Sequence, residues 1–341
     1  MQKVFRLIYM MLMCQAFISF SLLAQKKDFV LVEAESFNEK GGWVLDQQFM
    51  DQMGSPFLLA HGIGKPVQDA STEVMIPKKG TWHVYARTWN WCSPWKTKES
   101  PGRFKIAVNG AALDNELGMG TQWDWEYAGS VEIKEKSNIV TLKDLTGFEG
   151  RCDAILFTKN KNSAIPNRKD DLSAFRKQLL NIPVKPEDGG HYDLVVVGAG
   201  TAGLSAAIKG AREGLKVALI NNRPVPGGNN STEIRVVASG EMNVKPYTAL
   251  GNVIREIRNV YSKEDQVIEM IQAEKTLSYF PNMHVFAASK EGKQIKSVTA
   301  KHIENGKEIE FFSPLFVDCS GDGNLGYLAG AEYRVGREMR Q

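Results

Sequence analysis

An all-β sandwich of jelly-roll type followed by an α/β domain of Rossmann type is the multidomain fold that this sequence predicts. Three observations carry the expectation. Residues 25–160 alternate short apolar runs with turn signals, residues 161–190 are rich in Lys, Asn, Asp and Pro, and Leu194–Val197 runs into a glycine-punctuated turn, a small-residue helix and a second apolar strand. The 341 residues suffice for roughly two domains. Hydrophobic and charged contents of 43% and 24% are those of an ordinary globular protein. A net charge of only +3 points to neither nucleic acid nor a membrane surface as partner.

The first 24 residues stand apart from the fold. Met1–Arg6 is basic, Leu7–Leu23 is almost wholly apolar, and Ala24 offers a small residue at a cleavage point. This pattern predicts a cleaved signal peptide, and therefore an exported protein, periplasmic or secreted, with no stable membrane anchor. An uncleaved anchor is the alternative, since the apolar run is near the lower limit for a membrane span. Leu12-Met13 are the wrong sizes for a lipoprotein cleavage site before Cys14. The remaining cysteines are Cys92, Cys152 and Cys319. Cys92 and Cys152 either pair or are buried thiols, and no CxxC motif is present.

Runs such as Phe29–Glu35, Trp82–Trp89, Phe104–Val108, Val131–Ile133 and Ala154–Phe157 read as short strands. Turn signals at Lys79-Gly80, Pro101-Gly102 and Asn109-Gly110 separate them, which suggests a two-sheet sandwich. All seven tryptophans lie in this half. Alternate aromatics fill sandwich cores, but indole faces also serve as platforms for sugar rings. Trp89, Trp91 and Trp95, in a polar, turn-rich stretch, are better surface candidates than Trp82. The motifs Val32-Glu33-Ala34-Glu35 and Arg151-Cys152-Asp153-Ala154-Ile155 resemble those of β-sandwich carbohydrate-binding modules. The resemblance implies a structural calcium held by Glu33, Glu35 and Asp153, whose oxygens are hard ligands; a solvated edge is the alternative. Residues 161–190 are expected to link the domains, with a short helix over Asp171–Leu180 ended by Pro183 and Pro186.

In residues 191–341 the run Gly198-Ala199-Gly200-Thr201-Ala202-Gly203 is a Gly-x-Gly-x-x-Gly turn between strand and helix. Gly198 permits the tight turn, Gly200 lets backbone approach a pyrophosphate, and Gly203 lets helix and strand pack closely. The helix start near Thr201 aims unsatisfied amides at the phosphates. About 20 positions beyond the glycines an acidic residue is expected on the ribose, and Asn221 stands there. Arg223 raises the possibility of a 2′-phosphate. Gly227-Gly228-Asn229 follow, then short strands around Met283–Phe286, Ile295–Val298 and Ile309–Phe312, and finally Asp318-Cys319-Ser320-Gly321-Asp322-Gly323.

In this order the motifs resemble the FAD-dependent oxidoreductases with a glutathione-reductase-type Rossmann domain. The resemblance implies FAD, held by Gly198–Gly203, Asn221, Arg223, Gly227, Gly228 and Asn229, with Val285 backbone on the adenine and Gly321-Asp322 near the dinucleotide. A turn or helix cap is the other role open to Asp322. The resemblance implies an oxidoreductase that transfers hydride from a small or carbohydrate-derived substrate to flavin. Glu233 as a base and Arg235 as an anion-stabilising group are candidates, against salt-bridge or capping roles for both. Family members carry a substrate domain after the Ser-Gly-Asp-Gly run, so a chain ending at Gln341 reads as truncated. Two alternatives are a glycan-binding protein with a vestigial dinucleotide domain and an NAD(P)-dependent enzyme.

Overall fold

A computed structural model describes residues 28–95, 100–240, 244–246, 250–334 and 336. The expected signal segment therefore lies outside the described residues. The chain divides into two compact units between Ile182 and Pro183.

In the first unit the strands are β1 (Phe29–Glu33), β2 (Trp43–Asp46), β3 (Phe57–His61), β4 (Ala70–Met75), β5 (Gly80–Thr88), β6 (Phe104–Val108), β7 (Ala111–Ala112), β8 (Asp124–Ile133), β9 (Ser137–Asp144), β10 (Phe148–Cys152) and β11 (Ala154–Thr158). A helical turn, α1 (Met50–Met53), follows β2, and α2 (Lys169–Leu180) closes the unit. Antiparallel pairing gives sheets ordered β1-β11-β5-β8 and β4-β9-β6-β7, and a small third sheet, β10-β3-β2. The alternation read from sequence is visible in β4, where Ala70, Thr72 and Val74 are buried between less buried neighbours. Trp43, Trp82, Phe104 and Phe157 fill the core, with Trp43 edge-on to Phe104 at 5.6 Å. Trp95, by contrast, is 69% exposed. Cys92 and Cys152 are both buried and unbonded, the free-thiol alternative.

The segment 161–190 is not a linker, and the expectation needs correcting. Helix α2 lays Phe175 edge-on against Phe29 at 5.6 Å and packs Leu179 and Leu180 beside Leu31 and Leu156. It is thus part of the sandwich unit, since its apolar stripe has to be covered by that sheet. Beyond Pro183, β12 (Glu187–His191) pairs in parallel with a strand of the second unit.

That unit continues with β13 (Leu194–Val197), α3 (Thr201–Arg212), β14 (Val217–Ile220), α4 (Leu250–Val260), α5 (Glu264–Gln272), β15 (Leu277–Phe280), β16 (Met283–Glu291), β17 (Gln294–His302), β18 (Glu308–Phe312), β19 (Phe316–Asp318) and α6 (Asn324–Leu328). A parallel sheet β15-β14-β13-β19 carries the fold, with Val197 opposite both Ile220 and Asp318. Leu194 and Val196 face α3, α4 and α5 through Leu204, Ile208, Ile257 and Ile271. Val195 and Val197 face the other way, toward Val285, Val298 and Phe311 of the β12-β18-β17-β16 sheet. Burial on both faces explains why this strand is an unbroken apolar run. The expected meander is present as β16, β17 and β18, with longer strands than the apolar runs alone outlined. Among the described residues no helix is long and apolar enough to cross a membrane.

Candidate functional site

The carboxyl end of β13 turns sharply at Gly198, whose φ of +99° only glycine adopts without strain. A Cβ at Gly203 would lie 1.8 Å from the Gly198 carbonyl oxygen, so the first turn of α3 is pressed directly against the end of the strand. At Gly200 the opposite holds: a Cβ there would meet no atom within 4 Å. Two of the three glycines thus serve close packing, and the third faces open space. The first N–H groups of α3 lack intrahelical acceptors, and no acidic side chain sits in its first turn. That end of the helix is fit to receive an anion.

Gly227 and Gly228 fold back onto this turn. Gly227 N–H donates to Ala199 O at 2.7 Å, Gly200 and Gly227 form a parallel bridge, and a Cβ on Gly228 would stand 3.1 Å from the Gly200 Cα. Asn230 ties the two pieces laterally: its Oδ1 accepts from Thr201 Oγ1 at 2.7 Å while its Nδ2 donates to Val236 O. Ala202 and Asn229 are exposed beside them. The residues therefore fit a dinucleotide pyrophosphate: open space over a side-chain-free backbone, at a helix amino terminus.

The remaining predicted residues are placed differently. Asn221 is buried and its amide donates to Arg223 O at 2.9 Å, Val225 O at 3.0 Å and Tyr279 Oη at 3.1 Å. It clamps the loop after β14 from inside. Burial pushes the Tyr279 hydroxyl up to about 12 in spite of the Asn221 bond. Arg223 is paired with Glu233 at 3.0 Å, so the positive charge that suggested a 2′-phosphate has a carboxylate on it. Arg235, at φ +63°, donates to Thr232 O. The salt-bridge alternative thus describes Glu233. Val285 is buried in β16 and its carbonyl accepts from Asn324 Nδ2 at 2.7 Å. Gly321 and Asp322 are exposed in the loop after β19.

In that loop the cap is Asp318, not Asp322. Its Oδ1 accepts from Ser320 N and Oγ, and its Oδ2 from Gly326 N at 2.9 Å. Burial opposes the Asp318 charge, but these bonds hold its carboxyl below the usual range. Asp318, Asn324 and Asn230 were not singled out from sequence. The available signal was an Asp or Asn flanking glycine next to a helix start, which reads as generic turn chemistry.

In the sandwich, Phe49, Trp89, Trp123, Arg87, Gln52 and Gln122 line a cleft of about 420 Å³. Trp89 is fixed by Nε1 bonds to Ser93 Oγ and Thr121 O, and the Arg151 guanidinium lies 5.6 Å from its ring. Trp91 stacks on Phe148 at 5.8 Å. Glu33, Glu35 and Asp153 do come together, with oxygens within 4.8 Å of one another. They do so at a 3-10 turn, Ala34–Ser36, that follows β1.

Residues 193–341 match the family model described as FAD dependent oxidoreductase. The chain is 31% identical over 159 residues to an NADH:fumarate oxidoreductase of Klebsiella pneumoniae (strain 342), covering 43% of this chain and 16% of that protein. It is 30% identical over 128 residues to a soluble pyridine nucleotide transhydrogenase of Ectopseudomonas mendocina (strain ymp), covering 38% of this chain and 25% of the relative. Among solved structures it is similar to a family 35 carbohydrate binding module from Clostridium thermocellum, with a TM-score of 0.31, 18% identity, and coverage of 38% of this chain and 96% of that one. L-proline dehydrogenase from P. horikoshii is similar at a TM-score of 0.29 and 14% identity, over 63% of this chain and 30% of that one. The match to the FAD dependent oxidoreductase family model thus falls within the C-terminal unit, and a β-sandwich precedes it.

Proposed function

We propose that this chain serves an exported FAD-dependent oxidoreductase that takes hydride from a small or carbohydrate-derived substrate. The observation that carries the reading is the paired turn, in which Gly227 and Gly228 pack on Gly200 beside the amino end of α3. Bound there, FAD would supply a two-electron acceptor. The chain's own part is to neutralise the pyrophosphate with the α3 amides and to keep side chains out of its path. The Arg223–Glu233 pair favours FAD over a 2′-phosphorylated nicotinamide cofactor. Titration of the chain with FAD and, separately, NADPH, followed by flavin fluorescence and by protein thermal shift, tests this. FAD is expected to bind and NADPH not to; NADPH binding alone would overturn the reading.

Export rests on the Met1–Ala24 pattern. Amino-terminal sequencing of protein recovered from the periplasm or medium is expected to begin near residue 25, and an intact Met1 would count against it. The cleft at Trp89 and Trp123 favours a second role, sugar binding by the sandwich. It is checked on an oligosaccharide array with W89A and W123A controls, where retained binding by both variants would remove the cleft from consideration.

A further inference from the structure

Glu33, Glu35 and Asp153 are 8%, 4% and 0% exposed, so three carboxylates share one interior place. Such a group has to be compensated, by a cation or by protons. The cation is already on the chain. Arg176, 6% exposed, reaches in from α2: its Nη2 lies 2.5 Å from Asp153 Oδ2 and its Nε 3.4 Å from Glu33 Oε1. Its Nη1 donates to Ser55 Oγ, which in turn donates to Asp153 Oδ1 at 2.8 Å. From β5, Arg87 adds Nη1 to the same Asp153 Oδ2 at 2.8 Å. Both oxygens of Asp153 are therefore occupied by donors, and the oxygen a divalent ion would want most faces two guanidinium groups.

We infer that the Arg176 guanidinium is the resident cation of this cluster, standing where a structural calcium would otherwise be held and fastening α2 to the sandwich. Two guanidiniums already face the three carboxylates, and their donors together with Ser55 take up both oxygens of Asp153. Glu35 is the remaining acid. Its Oε2 is buried with no hydrogen-bond partner among the described residues, so no donor of the sandwich is directed at that oxygen.

The test uses the full chain and its tryptophan fluorescence, which reports the sandwich alone because all seven indoles lie in it. The midpoint of thermal unfolding is expected to be the same in EDTA and in millimolar CaCl₂, and calcium titrated calorimetrically should give no binding heat. Removing the guanidinium with Arg176→Ala should lower the midpoint by roughly 10 °C, and calcium should then recover part of the loss. If that variant does not fold, Glu35→Gln decides. It should leave the wild-type midpoint at neutral pH unchanged or raise it, since it removes one acid from a cluster of three, whereas the loss of a metal ligand would lower it. A wild-type chain that loses stability in EDTA and binds calcium, with both responses abolished by Glu35→Gln, would show that the metal is the cation and Arg176 is not.

Discussion

A methyl group at position 200 would project into open space, and the backbone there, at φ −68° and ψ 179°, suits any L-residue. Gly200→Ala and Gly200→Val should therefore leave thermal stability nearly unchanged while weakening FAD binding tenfold or more, read by flavin fluorescence. Gly203→Ala should behave in the reverse way. Its Cβ would sit 1.8 Å from a backbone oxygen, and the displacement should cost about 2–4 kcal/mol in denaturant unfolding, whatever ligand is present. Glu35 makes a prediction about pH. Its folded carboxyl titrates well above the ordinary glutamate value of 4.5, so its contribution to stability is complete below that value and is lost as pH rises toward the folded pKa. Sandwich stability, followed by tryptophan fluorescence, should fall as pH rises above about 4.5, and Glu35→Gln should flatten that slope. The turn at Gly198 and the close packing at Gly203 were legible in the sequence because glycine chemistry is local. The role of Asn221 was not, because Tyr279, one of its partners, is 58 positions away and nothing near Asn221 announces it.

Helix α2 shows at the scale of an element what composition conceals. Its stretch has the Lys, Asn and Asp content of a connector, and its helical spacing was legible. Its destination was not, because an arginine among acids reads as solvent-facing until its partners Glu33 and Asp153 are known. Phe175→Ala should destabilise the sandwich by about 2 kcal/mol through the lost ring contact with Phe29. Chemical denaturation followed at the indoles measures it. Strand β13 was readable in full for a complementary reason. A strand buried on both faces has to be apolar at every position, and few other elements of four residues are.

For the molecule as a whole, the boundary matters most. The composition shift near residue 160 suggested that the sandwich ends there, yet the compact unit extends to Ile182. A fragment spanning residues 28–182 should unfold cooperatively, whereas one spanning 28–160 should lack the Arg176 charge and aggregate or melt at a much lower temperature; circular dichroism melting curves compare the two. Within the second unit, the Gly200–Gly227 bridge joins two turns with helix α3 and strand β14 between them in sequence. Both rims of the proposed phosphate seat therefore hang on non-local contacts, and a ligand bridging them would hold the seat shut against local opening. Amide hydrogen exchange would register this as slowed exchange of the Gly227 and Ser231 N–H groups, which donate to Ala199 O and Gly228 O, once FAD is added. The cofactor would then act as a clasp in time as well as in space, setting how often the loop after β14 opens.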